Sequence, residues 1–128
     1  MSNHNKKLRI CIDLDGTICE IREPGQGYSE VAPKKGAKEQ IDKLHAAGHI
    51  IIIHTARNMN STGHNVGKVL KNIGRVTLEW LDKHGIYYDE IFFGKPNADI
   101  TIDDRVVRFE DNWSKFTEKY LLKNAKDK

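Results

Sequence analysis

The sequence is poor in features that mark several large classes of protein. Its two cysteines, Cys11 and Cys19, form no CxxC-type spacing, so we expect reduced, incidental thiols rather than a disulfide or a zinc site. The longest apolar run, residues 50–53, is far too short to cross a bilayer, and the N-terminus lacks the apolar stretch of a signal peptide. A cytoplasmic protein without membrane partners is therefore expected.

Charge is not concentrated in any part of the chain. The formal net charge is +3, and the 21 basic residues are spread out rather than gathered into a block that could follow a nucleic-acid backbone. Nucleic acid is therefore not an expected partner. With 38% hydrophobic and 30% charged residues, the composition indicates one folded domain over residues 1–128, with frayed ends at 1–6 and 123–128.

Two common catalytic signatures are missing. There is no GxxxxGK[ST] string, and Gly25 and Gly27 do not lead from a strand into a helix as a dinucleotide fingerprint would. The six histidines are scattered and form no HExxH motif. The sequence therefore gives no support for a P-loop enzyme or for zinc-dependent hydrolysis.

Hydrophobic patterns predict alternating strands and helices. The predicted strands are residues 7–14, 50–53, 90–93 and 99–102, and the predicted helical segments are 37–47, 66–73, 76–83 and 106–122. Gly74 is expected to interrupt the helical region, and residues 21–35 to form an irregular excursion or a short hairpin. This order predicts an α/β fold, a three-layer Rossmann-like parallel sheet flanked by helices.

Polar residues lie at or just after the end of each predicted strand in turn: Asp13-Leu14-Asp15-Gly16-Thr17, then Thr55, then Lys95, then Asp103-Asp104. Because the carboxyl ends of parallel strands lie at one edge of a sheet, we expect these residues to converge. Four neighbouring carboxylates repel one another unless a hard cation lies between them, and Mg²⁺ accepts oxygen ligands while leaving positions for a phosphate. With Lys95 and the Thr55 hydroxyl to hold phosphate oxygens, the set favours phosphoryl transfer.

Each of these motifs also has a plainer interpretation. Thr55 alone is typical of a helix cap, Lys95 of a solvated loop, and Asp103-Asp104 of a turn or N-cap pair. Their order, each after a predicted strand, favours a functional site over four unrelated features.

In this order the motifs resemble those of the haloacid dehalogenase phosphatase superfamily, over nearly the whole chain. Residues 55–59, 80–83, 88–91 and 103–105 further resemble a small capless subgroup linked to capsular polysaccharide biosynthesis. The resemblance implies that Asp13 is the nucleophile and a metal ligand. It implies that Asp15 protonates the leaving alkoxide, deprotonates water and offers its backbone carbonyl to Mg²⁺. Thr55 and Lys95 would bind phosphate, and Asp103 would ligate the metal.

Several roles stay open at this point. Asp104 is either a second metal ligand through water or a partner that orients Lys95, and Mn²⁺ is an alternative to Mg²⁺. Arg57 is expected either in a surface salt bridge or in contact with the substrate just outside the phosphate, with Arg75 as a second positive charge. An anionic or polyhydroxylated leaving group suits them, so a sugar phosphate or related small metabolite is the expected substrate. The oligomeric state is not indicated.

Chain length bears on the choice between rival functions. About twenty residues separate Asp15 from the first predicted helix, which leaves no room for a separate cap domain. We therefore expect an open site bordered by two insertions, residues 21–35 and 57–75, which set selectivity. Hydrolysis is favoured over a sugar phosphomutase, which needs water excluded, and over a catalytically silent binding domain, which does not need the four motifs.

Overall fold

A parallel sheet brings the ends of three strands to one edge. The computed structural model describes residues 6–125, and its strands are β1 (Arg9–Asp13), β2 (Ile50–Thr55) and β3 (Glu90–Phe93), in the order β1-β2-β3. Asp13 lies opposite His54, and Thr55 lies opposite Phe93. The residues that follow the three strands therefore start from the same edge of the sheet, and these three strand predictions are confirmed.

Four α-helices accompany the sheet in the described part of the chain: α1 (Ala37–Ala46), α2 (Val66–Val69), α3 (Arg75–Lys83) and α4 (Glu118–Asn124). A π-helical turn, Leu70–Gly74, joins α2 directly to α3. The expected interruption at Gly74 is wrong, because this residue is buried and takes helical dihedral angles, with φ −60° and ψ −51°.

The core explains why β2 is the central strand. Ile51 and Ile53 are fully buried on one face, and Ile52 is buried on the other, as expected for a strand covered on both sides. Trp80 and Trp113 belong to the same core, and their indole N–H groups donate to backbone carbonyls at 2.8 Å and 2.7 Å. The Trp113 indole N–H donates to the carbonyl of Thr17, so Trp113 supports the turn after β1.

The fourth strand expected at residues 99–102 does not form, and that prediction is wrong. Ile100 is 81% exposed and Ile102 is 97% exposed. Within residues 6–125 the sheet has three strands, and β1 is one of its two edge strands. The alternating pattern is local, whereas a strand is stabilised by side chains packed against neighbouring strands and helices. That packing is missing here.

The helix expected over residues 106–122 is also shorter than the pattern indicates. Only α4 and the 3₁₀ turn Trp113–Lys115 form in this region. Phe109 instead packs on Trp113 and Phe116 as part of an aromatic cluster. Mostly helical spacing of aromatic residues can therefore arise from a cluster without a continuous helix.

The remaining regions agree with an α/β domain that carries no separate cap domain in its described part. Residues 21–35 are irregular apart from the 3₁₀ turn Tyr28–Glu30. Of the ends expected to fray, Lys123 and Asn124 belong to α4, whereas residues 1–5 and 126–128 lie outside the described residues. None of the described helices has the length and apolar character that crossing a membrane requires.

Candidate active site

A tight turn after β1 presents Asp13 and Asp15. The N–H of Ile18 donates to the carbonyl of Leu14 at 2.9 Å, and both side chains are fully buried, which anchors the turn in the core. Gly16 has φ +84°, in the left-handed region that disfavours any residue with a Cβ atom. The turn therefore ends the strand at this point and lets the two carboxylates face different partners.

Asp13 forms an ion pair with Lys95. The Nζ atom donates to Oδ1 at 3.1 Å, and the two side chains are 30% and 29% exposed. Lys95 reaches this position because its N–H donates to the carbonyl of Thr55 at 3.1 Å and because Gly94, with φ +94°, turns the chain after β3. A carboxylate and an ammonium group that solvent reaches thus lie side by side at the strand ends.

Asp15 is held by two donors from the end of β2. The hydroxyl of Thr55 donates to Oδ2 at 2.9 Å, and Nε of Arg57 donates to Oδ1 at 2.8 Å. The Thr55 oxygen also accepts the N–H of Arg57 at 3.0 Å, and the residue is fully buried. Because this hydroxyl is committed to Asp15, it can bind a phosphate only after releasing Asp15.

Arg57 forms a salt bridge, but its own side chain is buried rather than on the surface, and its partner Asp15 is partly buried. The residue is 3% exposed, and its other nitrogens donate to Thr77 Oγ1 at 3.1 Å and to Cys19 Sγ at 3.5 Å. Its Cζ atom lies 4.2 Å from the centroid of the Tyr28 ring. With these partners, Arg57 positions Asp15 in this structure and has little donor capacity left for a substrate.

Two neighbours of the aspartates have shifted pKa values. Burial, together with the nearby carboxylate of Asp15, raises the pKa of Cys19 to about 12, so its thiol is protonated at neutral pH. Burial and then the charge of Lys95 lower the pKa of His54 from its ordinary value, so this imidazole is neutral at pH 7. The formal charges at these strand ends are therefore those of the pairs Asp13–Lys95 and Asp15–Arg57.

Asp103 and Asp104 do not join Asp13 and Asp15 in this structure. The Asp103 carboxylate accepts the N–H of Arg105 at 2.9 Å, which lowers its pKa. In the described part of the chain, no group of three or more carboxylate, histidine or cysteine side chains is arranged to hold a metal ion. The expected set of four carboxylates is therefore not assembled, because the strand that was to carry two of them does not form.

A cleft of about 270 Å³ opens beside Asp15. Its walls come from the excursion, through Arg22 and Tyr28, and from the loop after β2, through Asn58 and other residues up to position 61. The two insertions thus border the site as expected. Sequence reasoning did not single out Arg22 and Tyr28, although a cation and an aromatic ring in an irregular loop are a signal for binding.

The expected second positive charge, Arg75, does not contribute to this cleft. It begins α3, is exposed and is not among the lining residues. A larger cavity of about 520 Å³ lies along the outer edge of β1, but its lining contains no carboxylate. The chemistry-bearing residues therefore point to the cleft at Asp15.

Comparison with known proteins identifies the family of the chain. Residues 10–77 match the family model of the haloacid dehalogenase-like hydrolases. The matched range includes both Asp13 and Asp15 but ends before Lys95. The crystal structure of an MCSG target from Vibrio cholerae is 37% identical, with a TM-score of 0.75, over 91% of this chain and 97% of that one. No curated protein sequence matches the chain. The chain belongs to the haloacid dehalogenase-like hydrolase family.

Proposed function

We propose that this hydrolase is a phosphatase whose nucleophile is Asp13. The observation that carries the proposal is the pairing of the Asp13 carboxylate with Lys95 at the strand ends, where both side chains are partly exposed. One carboxylate oxygen forms a bond to phosphorus as the bond to the leaving oxygen breaks. Water then attacks the aspartyl phosphate, which returns Asp13 as a carboxylate and releases inorganic phosphate.

Asp15 handles the protons in this proposal. It gives a proton to the leaving alkoxide in the first step and takes one from the attacking water in the second. Both of its oxygens accept hydrogen bonds, from Thr55 and Arg57, and these favour the charged carboxylate, so release of one donor makes protonation of Asp15 easier. We propose that Thr55 is the donor released, because its hydroxyl can rotate toward the phosphate, whereas Arg57 is fixed by Thr77 and Cys19.

Lys95 is the proposed phosphate ligand. Its ammonium group has three N–H bonds and uses one on Asp13, which leaves donors for the oxygens of a phosphate that approaches the carboxylate. The positive charge also offsets repulsion between the anionic substrate and the anionic nucleophile.

Mg²⁺ dependence is part of the proposal and is supported by family membership, because hydrolases of this family generally use Mg²⁺. Asp13 and the backbone carbonyl of Asp15 would hold the ion, which when bound neutralises charge on the phosphate. Asp103 and Asp104 are kept as proposed further ligands. They reach the site only if residues 99–104 move to the carboxyl end of β1.

The proposed substrate is a sugar phosphate or a related small metabolite in capsule or surface polysaccharide biosynthesis, in the cytoplasm. The size of the cleft supports this, since about 270 Å³ is near the lower end for small-molecule sites. No cap domain covers Asp13 in the described part of the chain, so water has access, which favours hydrolysis over transfer to a second hydroxyl. The accessible Asp13–Lys95 pair disfavours a silent binding domain.

Phosphate release from p-nitrophenyl phosphate and a panel of sugar phosphates and nucleotides tests this proposal, with Mg²⁺, Mn²⁺ or EDTA. We expect metal-dependent release that Asp13→Asn lowers at least about 1,000-fold, because an amide is a poor nucleophile of nearly the same shape. Asp82→Asn, at an exposed aspartate in α3, is the matched control and keeps activity. Substantial hydrolysis by pure Asp13→Asn protein would falsify the nucleophile assignment.

A further inference from the structure

The charges that line the cleft beside Asp15 do not cancel. Arg57 is balanced by Asp15 through a contact of 2.8 Å. Arg22 lines the same cleft, and it forms no ion pair with any residue in the range 6–125. The rest of the polar lining is neutral and comes from Asn58, Asn60, Ser61 and Asn97. The cleft therefore has a net positive charge close to the carboxylate that is proposed to protonate the leaving group.

Arg22 is held in place by its own loop. Its Nη1 donates to the carbonyl of Gln26 at 2.9 Å, and its Cζ lies 5.1 Å from the centroid of the Tyr28 ring. The Gln26 side chain is fixed in turn, because its Oε1 accepts the N–H of Glu23 at 3.1 Å. One hydrogen bond leaves most of the guanidinium N–H groups of this exposed residue available.

A guanidinium that is oriented by one hydrogen bond and keeps available donors is suited to bidentate binding of a carboxylate or phosphate. It carries full charge at any physiological pH and loses little rotamer freedom when its stem is already held. The neighbouring amides and hydroxyl suit the uncharged hydroxyls of a small polyol. The cleft thus offers one anion-binding group among several neutral ones.

We propose that Arg22 determines specificity by binding a second anionic group on the leaving group, so that preferred substrates are small phosphate monoesters that also carry a carboxylate or another phosphate. The inference rests on the proposed function, since it assumes that the leaving group lies beside Asp15. Tyr28 supports the guanidinium through its ring face. Arg22 takes the role that the sequence pattern assigned to Arg57 and Arg75.

Matched substrate pairs test this inference. Phosphoglycerate is compared with glycerol phosphate for the carboxylate, and fructose bisphosphate with fructose 6-phosphate for the second phosphate. We expect kcat/KM to be about 10-fold higher for the doubly anionic member of at least one pair, which corresponds to one charge-assisted contact. The substrate pair that shows the preference identifies whether Arg22 binds a carboxylate or a second phosphate.

Arg22→Gln is expected to remove this preference mainly through KM, so that it slows the doubly anionic substrates more than p-nitrophenyl phosphate, and Arg22→Lys to restore part of it. Arg9→Gln is the matched control, because Arg9 is an exposed arginine at the amino end of β1, away from the site. Equal loss on charged and uncharged substrates in Arg22→Gln would show a structural role and overturn the inference. A wild-type enzyme without preference in either pair would also overturn it.

A binding measurement separates this failure from failure of the proposed function. Calorimetric titration of phosphoglycerate into wild-type and Arg22→Gln protein does not depend on turnover. If no monoester is hydrolysed, the proposed function fails, and about 10-fold weaker binding to Arg22→Gln still supports an anion site at Arg22. Equal binding to both proteins would show that Arg22 does not form an anion site.

Discussion

The strand ends that carry Asp15 and the segment that carries Asp103 contain the same kinds of residue but are held very differently. Asp15 accepts hydrogen bonds from Thr55 and Arg57, which are 40 and 42 residues away in sequence and almost completely buried. Asp103 instead accepts the N–H of a residue two positions away and is exposed. Buried partners from distant parts of the chain fix a carboxylate, and local contacts leave it on the surface.

The same comparison changes the electrostatic argument for the site. The sequence places four carboxylates together and relies on a cation to offset their repulsion. In the structure, the pairs Asp13–Lys95 and Asp15–Arg57 already provide that compensation. Neutralising Asp13 is therefore expected to leave Lys95 without its partner, rather than to relieve repulsion and raise stability.

The largest expected effect comes from breaking the pair that the buried Arg57 forms with Asp15 at the strand ends. Arg57→Gln removes a buried charge and leaves Asp15 without its ionic partner, so we expect the free energy of unfolding to fall by about 3 kcal/mol. Arg75→Gln, at an exposed arginine of α3, should change it by less than about 0.5 kcal/mol. Urea denaturation of the two variants measures both. Similar values would show that Arg57 does not stabilise the strand ends.

The next prediction sharpens the role of Asp15 within the ordered region. Asp15→Asn should slow sugar phosphates at least about 10-fold more than p-nitrophenyl phosphate, because a sugar alkoxide needs a proton to leave and nitrophenolate needs little help. The ratio of kcat/KM losses on the two substrates is the measurement. Equal losses would indicate that Asp15 acts through metal binding or structure, or that dephosphorylation limits both reactions.

A smaller effect concerns pH and the thiol that contacts Arg57. The pKa of Cys19 is raised to about 12 from 9.0, so the folded state binds this proton more tightly than the unfolded state. The resulting stability is complete below about pH 9 and is lost as the pH rises toward 12. From pH 8 to pH 10, wild type should lose about 1 kcal/mol of unfolding free energy more than Cys19→Ala does.

The exposed thiol supplies the control for that experiment. Cys11→Ala removes an exposed cysteine whose thiol pKa burial raises less far than that of Cys19, so its stability should stay closer to the wild-type pH dependence than that of Cys19→Ala. If Cys19→Ala and wild type lose the same unfolding free energy between pH 8 and pH 10, the buried thiol does not cause the loss of stability at alkaline pH.

The smallest effect is expected in the exposed segment that carries Asp103. Ile102 is 97% exposed, so Ile102→Ala should change the unfolding free energy by less than about 0.5 kcal/mol in the absence of metal. Ile53→Ala, in the centre of β2, should cost about 3 kcal/mol. Repeating both with Mg²⁺ tests the movement of residues 99–104. A cost for Ile102→Ala that appears only with Mg²⁺ would show that the metal brings this segment into the fold.

Sequence patterns predict most of the sheet and part of the site. The strand expected at residues 90–93 is confirmed to the residue as Glu90–Phe93, and the helix expected at residues 37–47 is confirmed as Ala37–Ala46. These elements follow local signals, namely an apolar run or helical spacing closed by a glycine. The strand expected at residues 99–102 carries an equally good local signal and fails, because alternation alone cannot supply a packing partner.

By itself, the sequence determined the α/β order of the chain and placed Asp13, Asp15, Thr55 and Lys95 at the ends of the first three strands, because turns and strand ends are set by nearby residues. Only the tertiary structure decided which charges meet. It buried Arg57 against Asp15, left Asp103 outside the site and put Arg22 in the cleft. The physical reason is that a charged side chain takes its role from burial and from distant partners, and neither is written in the local pattern of residues.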